Sequence, residues 1–339
     1  MLKRALWLAW LVAASLAAAA VHAETMVRVA AGTEGLVHVP LYLAIDAGFM
    51  KEEGIGVELV QFRGGGAAIS GLASGNAEFC SCAIQNAINA AVKGAGLKLI
   101  GTLESEYASN VVIRGEVAKR LGITRETPVE RRLAALRGLK IAVSGNGGSA
   151  DFLMRYLARR AGLSPERDLT ILYMSGNGPM LAAFSAGRID GFALSSPTSD
   201  IAMLRYKGAM LLNMARGEYA ELRGYPSIAL SARASWLKVH PDLARGFLRA
   251  LAKADRMISG RPDAAKGIVR KRFADIENDI FEAAWKSNVA AYPRNPRMEE
   301  RNAARAIAFL TEIAGEKVPG ATRDYIDNSF ADAAIASLK

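Results

Sequence analysis

A segment near Val60 returns, without a gap, near Leu172, and that return restricts the chain to a duplicated architecture. Val57-Glu58-Leu59-Val60 leads through Gly64-Gly65-Gly66 to Gly71-Leu72-Ala73-Ser74-Gly75 and Asn76-Ala77-Glu78-Phe79. Leu169-Thr170-Ile171-Leu172 leads through Gly176-Asn177-Gly178 to Phe184-Ser185-Ala186-Gly187 and Arg188-Ile189-Asp190-Gly191. Gly64 matches Gly176, Gly66 matches Gly178, Gly75 matches Gly187 and Glu78 matches Asp190, each pair 112 positions apart. Two lobes of one design leave such a trace, and two lobes imply a cleft between them.

Each copy reads strand, glycine loop, helix, strand, glycine loop, helix, strand. In the first, the alternating strand Met26 to Ala31 stops at the loop Gly32-Thr33-Glu34-Gly35, and Pro40 suits the first turn of the helix that follows. In the second, Lys140 to Val143 stops at a loop running from Ser144 to Ser149, and a helix from Asp151 to Ala161 is closed by Gly162. Strands alternating with helices predict an α/β fold whose parallel-rich sheets are covered on both faces. Crossings near Ser109 and Tyr225 divide the chain into a first lobe of 24–109 and 225–339 and a second of 110–224. From Pro241 onward only helical periodicity remains, with Leu243, Phe247, Leu248, Leu251 and Ala254 on one stripe. This tail is expected to pack on lobe one.

Residues 1–23 read as a secretory leader rather than as part of the fold. Lys3-Arg4 precedes the apolar Ala5 to Ala20, which is shorter than the ~20 residues a membrane span needs, and Val21-His22-Ala23 fits a cleavage site. Cleavage after Ala23 would deliver a soluble, periplasmic chain. Its basic excess, +10 overall and +8 once Lys3 and Arg4 are removed, suits an anionic ligand, a membrane surface or nucleic acid. The charges are dispersed and no aromatic-basic module accompanies them, which argues against nucleic acid. Cys80 and Cys82 stand one residue apart, too near for an unstrained disulfide in extended chain, and are expected to be buried thiols without metal. No cofactor is implied. No Gly-x-Ser-x-Gly elbow, His-Glu-x-x-His or phosphate loop occurs, so binding without chemistry is the expectation.

Glycine-rich loops at strand ends, each opening a helix, either serve as caps and turns or bring backbone N–H groups to an anion. Four of them repeated in register favour a ligand site. Glu34 would hold an amino group or cap the nearby helix. His38 would touch ligand or pack beside the loop. Arg63 would neutralise an anion or stay solvated. Ser81, Ser149, Ser175, Asn177 and Ser195 are placed as hydrogen-bond donors, and Tyr225 as a cleft residue at the crossing.

The stretch Gly35-Leu36-Val37-His38-Val39-Pro40-Leu41-Tyr42-Leu43-Ala44-Ile45-Asp46-Ala47-Gly48-Phe49 resembles the opening motif of the nitrate/sulfonate/bicarbonate substrate-binding proteins of ABC importers. Lys51-Glu52-Glu53-Gly54-Ile55, Gly71 to Gly75 and Ala186 to Gly191 also match that family, which includes proteins binding pyrimidine precursors of thiamine. The resemblance implies a two-lobe periplasmic binding protein, a monomer that hands its solute to a permease and its ATPase. It places ligand contacts at Thr33, Glu34, Gly35, Gly65, Gly66, Ser81 and Cys82 of lobe one. In lobe two it places them at Ser144, Gly147, Gly148, Ser149, Ser175, Asn177 and Ser195. A small sulfonate, nitrate or organic acid is the expected solute. Alternatives are an aromatic ligand stacked on Phe62, Tyr107, Tyr173 or Tyr225, or an exported enzyme using Cys82 and His38. A eukaryotic branch makes a pyrimidine with iron and a cysteine-rich stretch, which this chain lacks apart from Cys80 and Cys82.

Overall fold

The structure, a computed structural model, describes residues 24–174, 176–315 and 317–338. The expected leader and Ser175 lie outside them. Ten strands occur among the described residues: β1 (Thr25–Ala31), β2 (Ile55–Gln61), β3 (Phe79–Ala83), β4 (Leu97–Glu104), β5 (Asn110–Arg114), β6 (Lys140–Val143), β7 (Thr170–Tyr173), β8 (Gly191–Leu194), β9 (Gly208–Leu212) and β10 (Ile228–Arg233). They form two five-stranded sheets, ordered β2-β1-β3-β10-β4 and β7-β6-β8-β5-β9. The order is the same in both once each strand of the first copy is exchanged for its counterpart in the second.

Both sheets are mixed. β1 pairs parallel with β2 and β3, and β6 pairs parallel with β7 and β8. β10 runs antiparallel to β3 and β4, and β5 antiparallel to β8 and β9. The cause is the connection. β4 ends at the cleft, the chain crosses, and β5 enters the opposite sheet from the cleft side, so it must run the other way. β9 and β10 repeat this in reverse. Each sheet therefore holds one interior strand that follows directly after an edge strand of the other sheet.

The duplication is visible in detail. Gly64 (φ 97°, ψ 159°) and Gly176 (φ 89°, ψ 151°) precede the equivalent helices Gly65–Ala73 and Asn177–Ser185 in a conformation that a Cβ would strain. Glu78 accepts the backbone N–H of Arg28 at 2.7 Å, and Asp190 accepts that of Lys140 at 2.9 Å, so each carboxylate pins an interior strand at the equivalent position. Arg28 also donates to Glu78 through its guanidinium at 2.7 Å. Burial opposes ionisation of Glu78, but the Arg28 side chain and backbone outweigh it and hold the carboxyl below its ordinary value. A depressed carboxylate stabilises the fold above its unfolded value and loses that contribution as pH falls through the folded one. Glu78→Gln is therefore expected to lower stability by about 1 kcal/mol at pH 7, by less near pH 3, measured by urea unfolding at both.

β3 is buried on both faces. Phe79 and Ala83 join the core shared with the tail, while Cys80 and Cys82 join the core on the other side. Burial of both cysteines agrees with expectation, and their side chains meet on one face of the strand. Alternate positions of a strand point the same way, and the two Cα atoms are 5.5 Å apart.

The helix Pro241–Gly260 buries Phe247, Leu248, Leu251 and Ala254 against the first sheet, with the Phe247 ring 4.4 Å from that of Phe79. Proline at the first turn fixes its start, as the sequence predicts. Later parts of the tail also reach the second lobe. Phe309 of the helix Glu300–Ala314 packs on Tyr156 at 4.9 Å, and Asp279 of the helix Asn278–Asn288 pairs with Arg205 at 2.6 Å.

Candidate functional site

The loops following β1, β2, β3, β6, β7 and β8 converge between the sheets around two adjoining cavities. The outer cavity, about 350 Å³, is lined by Gly32, Thr33, Glu34, Gln61, Phe62, Arg63, Gly64, Ser144, Gly176, Asn177, Met180 and Leu194. The inner one, about 70 Å³, shares Gly32, Thr33, Ser144 and Leu194 and adds, among others, His38, Gly65, Ser81, Cys82, Asn86, Gly148, Ser149 and Ser195. In parallel-rich sheets the carboxyl ends of the strands are where ligands bind, and both cavities lie there.

Most of the lining comes in pairs offset by the repeat. Gly32 faces Ser144, Val37 matches Ser149, His38 matches Ala150, Gly64 matches Gly176, Gly65 matches Asn177, Cys82 matches Leu194 and Ala83 matches Ser195. The two copies thus present the same backbone positions to one space and differ in side chains. The helices Gly65–Ala73, Ser149–Arg160 and Asn177–Ser185 all begin at this space, so their unpaired N–H groups and positive ends point toward it. Arg63 and Glu34 stand exposed at its outer rim.

The inner wall is tightly bonded. His38, 1% exposed, places Nδ1 2.7 Å from Ser81 Oγ and Nε2 3.0 Å from the carbonyl oxygen of Thr33. Burial drives the His38 pKa down to about 4, against the weaker pull of the Thr33 carbonyl, so the ring is neutral at physiological pH. Across the recess, Tyr107 donates to the carbonyl oxygen of Ser149 at 2.7 Å and receives Gln85 Nε2 at 2.9 Å. Burial raises the Tyr107 pKa, so the phenol keeps its proton.

Of the residues chosen from sequence, Thr33, Glu34, His38, Arg63, Gly65, Ser81, Cys82, Ser144, Gly148, Ser149, Asn177 and Ser195 are brought together on these walls. Gly35, Gly66 and Gly147 are not on them. Gly35 packs beneath Ser195 and Ser196; Gly66 is exposed on its helix; Gly147 turns the loop at φ 66°, its N–H held by Asp151 at 2.9 Å. Tyr225 is corrected: it is wholly buried behind the crossings, its ring 4.9 Å from Tyr107 and 5.2 Å from Phe309. Of the aromatic residues considered for stacking, Phe62 alone lines a cavity; Tyr173 is exposed and bonded to Arg155. Sequence reasoning missed Gly32, Met180, Leu194 and Asn86. The 112-residue offset held the signal for two of these, since Ser144 implies Gly32 and Cys82 implies Leu194.

Two mixed sheets with swapped interior strands around one cleft define the two-lobe binding-protein fold. The sequence profile described as NMT1/THI5 like matches residues 36–265, and the chain belongs to that family. It is 23% identical to YtlA of Bacillus subtilis, whose name describes a binding protein, over 82% of this chain and 80% of YtlA. A structure from Bordetella bronchiseptica RB50 superposes with a TM-score of 0.78 at 20% identity, covering 92% of this chain and 98% of that one. The periplasmic aliphatic sulphonate binding protein SsuA from Escherichia coli superposes with a TM-score of 0.66 at 18% identity, covering 86% and 87%. No helix among the described residues is long and apolar enough to cross a membrane.

Proposed function

We propose that this protein is the periplasmic solute-binding component of an ABC importer, capturing a small polar or anionic organic molecule between its lobes. The observation that carries the reading is the shared cavity, about 350 Å³, walled by equivalent loops of both repeats. Its size suits a compact metabolite. Three helix N-termini and Arg63 supply the positive environment that an acidic group needs. The lobes are 24–109 with 225–339, and 110–224, and the chain crosses between them twice, so closure by hinge motion about the crossings is the natural response to ligand. A single copy carries the whole cleft and delivers the solute to a membrane permease driven by its ATPase.

Capture without chemistry fits the wall. Cys80 and Cys82 are buried, and both ring nitrogens of His38 are engaged. Calorimetric titration of the chain from Glu24 with taurine, alkanesulfonates, nitrate, short carboxylates and pyrimidines tests the reading. Micromolar or tighter binding of an acidic member, weakened at least about tenfold by Arg63→Ala, is expected. Heat signals confined to neutral or cationic compounds would reject the acidic-solute assignment.

A further inference from the structure

Two contacts join the lobes at the inner end of the cleft, and the repeat relates them. The Leu36 N–H, after β1, donates to the Ser196 carbonyl oxygen, after β8, at 3.2 Å. The 112-residue offset turns that pair into Gly148 and Ile84, and their neighbours Ser149 and Gln85 make the second contact. The first is backbone to backbone. The second runs through a phenol: Gln85 Nε2 donates to the Tyr107 hydroxyl at 2.9 Å, and Tyr107 donates to the Ser149 carbonyl oxygen at 2.7 Å. Tyr107 lies wholly buried on the first crossing, between β4 and β5, and lines neither cavity.

That route fixes the protons. A carbonyl oxygen only accepts, so the Tyr107 proton goes to Ser149, and Gln85 must turn its NH2 toward the phenol oxygen. The amide's Oε1 is then buried without a partner. So is the hydroxyl of Tyr225, which stands beside Gln85 with its ring 4.9 Å from that of Tyr107. Buried polar groups left unpaired are costly. A half-turn of the Gln85 amide would relieve both, giving Tyr107 an acceptor in Oε1 and Tyr225 a donor in Nε2. That turn is blocked only while Ser149 holds the Tyr107 proton.

We propose that Tyr107 is a two-position latch for the lobes, bonded to Ser149 when the cleft is closed and to Gln85 Oε1 when rotation about the crossings withdraws Ser149. The inference rests on the two-lobe capture reading above and names a side chain that governs closure. Gln85 and Ser149 belong to opposite lobes, so rotation must change the 3.5 Å between Nε2 and Ser149 Oγ. One set of groups serves both arrangements, with Ser149 as the outside partner in one and the Tyr225 hydroxyl in the other. An exchange of that kind gives discrete positions that ligand can bias. Ser149 lines the inner recess and begins the helix Ser149–Arg160, so the latch also sets where that helix end meets the solute. Tyr107 is thus a positioning residue that acts through Ser149.

Spin labels on Ser70→Cys and Ala182→Cys, exposed equivalents on the two helices flanking the mouth, report opening by pulsed electron resonance on the chain from Glu24 without solute. Cys80 and Cys82 are buried and take no label. Tyr107→Phe keeps the ring and loses the latch, so the ratio of long to short distances is expected to rise about fivefold. Gln85→Met, close in shape, removes the partner that the open position uses and the orphan that the closed one carries, so the ratio is expected to fall. Opposite shifts support the latch. Any other pattern overturns it, including no movement or movement of both in one direction. A merely structural role would lower the urea midpoint of both variants and leave the distances where they were. With no solute in the sample, failure here leaves solute capture standing, and failure of the titrations above leaves this measurement intact.

Discussion

Asp255→Asn is expected to raise stability by about 3 kcal/mol at pH 8 and by little at pH 4. Asp255 sits wholly buried on the helix Pro241–Gly260, and neither carboxylate oxygen has a hydrogen-bond partner. Burial alone pushes its pKa well above the ordinary 3.8. The folded chain therefore holds a proton that the unfolded chain releases, and stability is lost as pH rises above the unfolded value. Asparagine has nearly the same shape and no proton to hold. His38 acts with the opposite sign. Its folded value, about 4, lies below the unfolded 6.5, so unfolding takes up a proton in that window and stability falls as pH drops through it. Urea unfolding of wild type and variant at pH 4, 6 and 8 isolates the Asp255 contribution, because His38 is common to both. A constant difference at all three values would mean that the carboxyl does not titrate with unfolding.

Gly32→Ala is expected to destabilise the fold by about 2–3 kcal/mol and to weaken solute binding more than tenfold. A Cβ at Gly32 would lie 2.5 Å from the Gly65 nitrogen and 2.6 Å from the Gly64 carbonyl carbon. These are backbone atoms, which cannot rotate aside as a side-chain tip can. The close approach is held by the Gly64 N–H bonded to the Gly32 carbonyl at 3.0 Å. Relief would require the first two glycine loops to separate, and both line the cleft. Gly66→Ala is the control: its Cβ meets nothing within 4 Å, and a helical position gains from alanine. Urea unfolding and calorimetry on both variants check the contrast, and equal behaviour of the two would remove the argument.

The two-lobe α/β plan was legible because the repeat survives in sequence. Glycines at 64, 75, 176 and 187 all have positive φ, a requirement that side chains cannot meet cheaply, so the chemistry of the turn preserved the pattern. Strand direction was not legible, since a period of two reads alike in parallel and antiparallel strands. Tyr225 was misplaced for a related reason. Its partners Tyr107 and Phe309 belong to distant segments, and nothing near Tyr225 reveals that an aromatic cluster fills the space behind the crossing. The bond between His38 and Ser81 joins residues from separate loops, so each side chain was visible but their shared proton was not. For the cysteines, the apolar surroundings of the third strand pointed to burial, and both are buried.

The interior position of β5 and β10 has a practical corollary for anyone who wishes to cut this molecule apart. A fragment ending near Arg114 would carry β5 as an orphan and leave β3 and β4 with raw edges where β10 belongs. Such edges recruit any extended peptide within reach, including the orphan of a neighbouring fragment. Excision at the midpoint of the duplication thus favours intertwined pairs or aggregates over a tidy half-molecule.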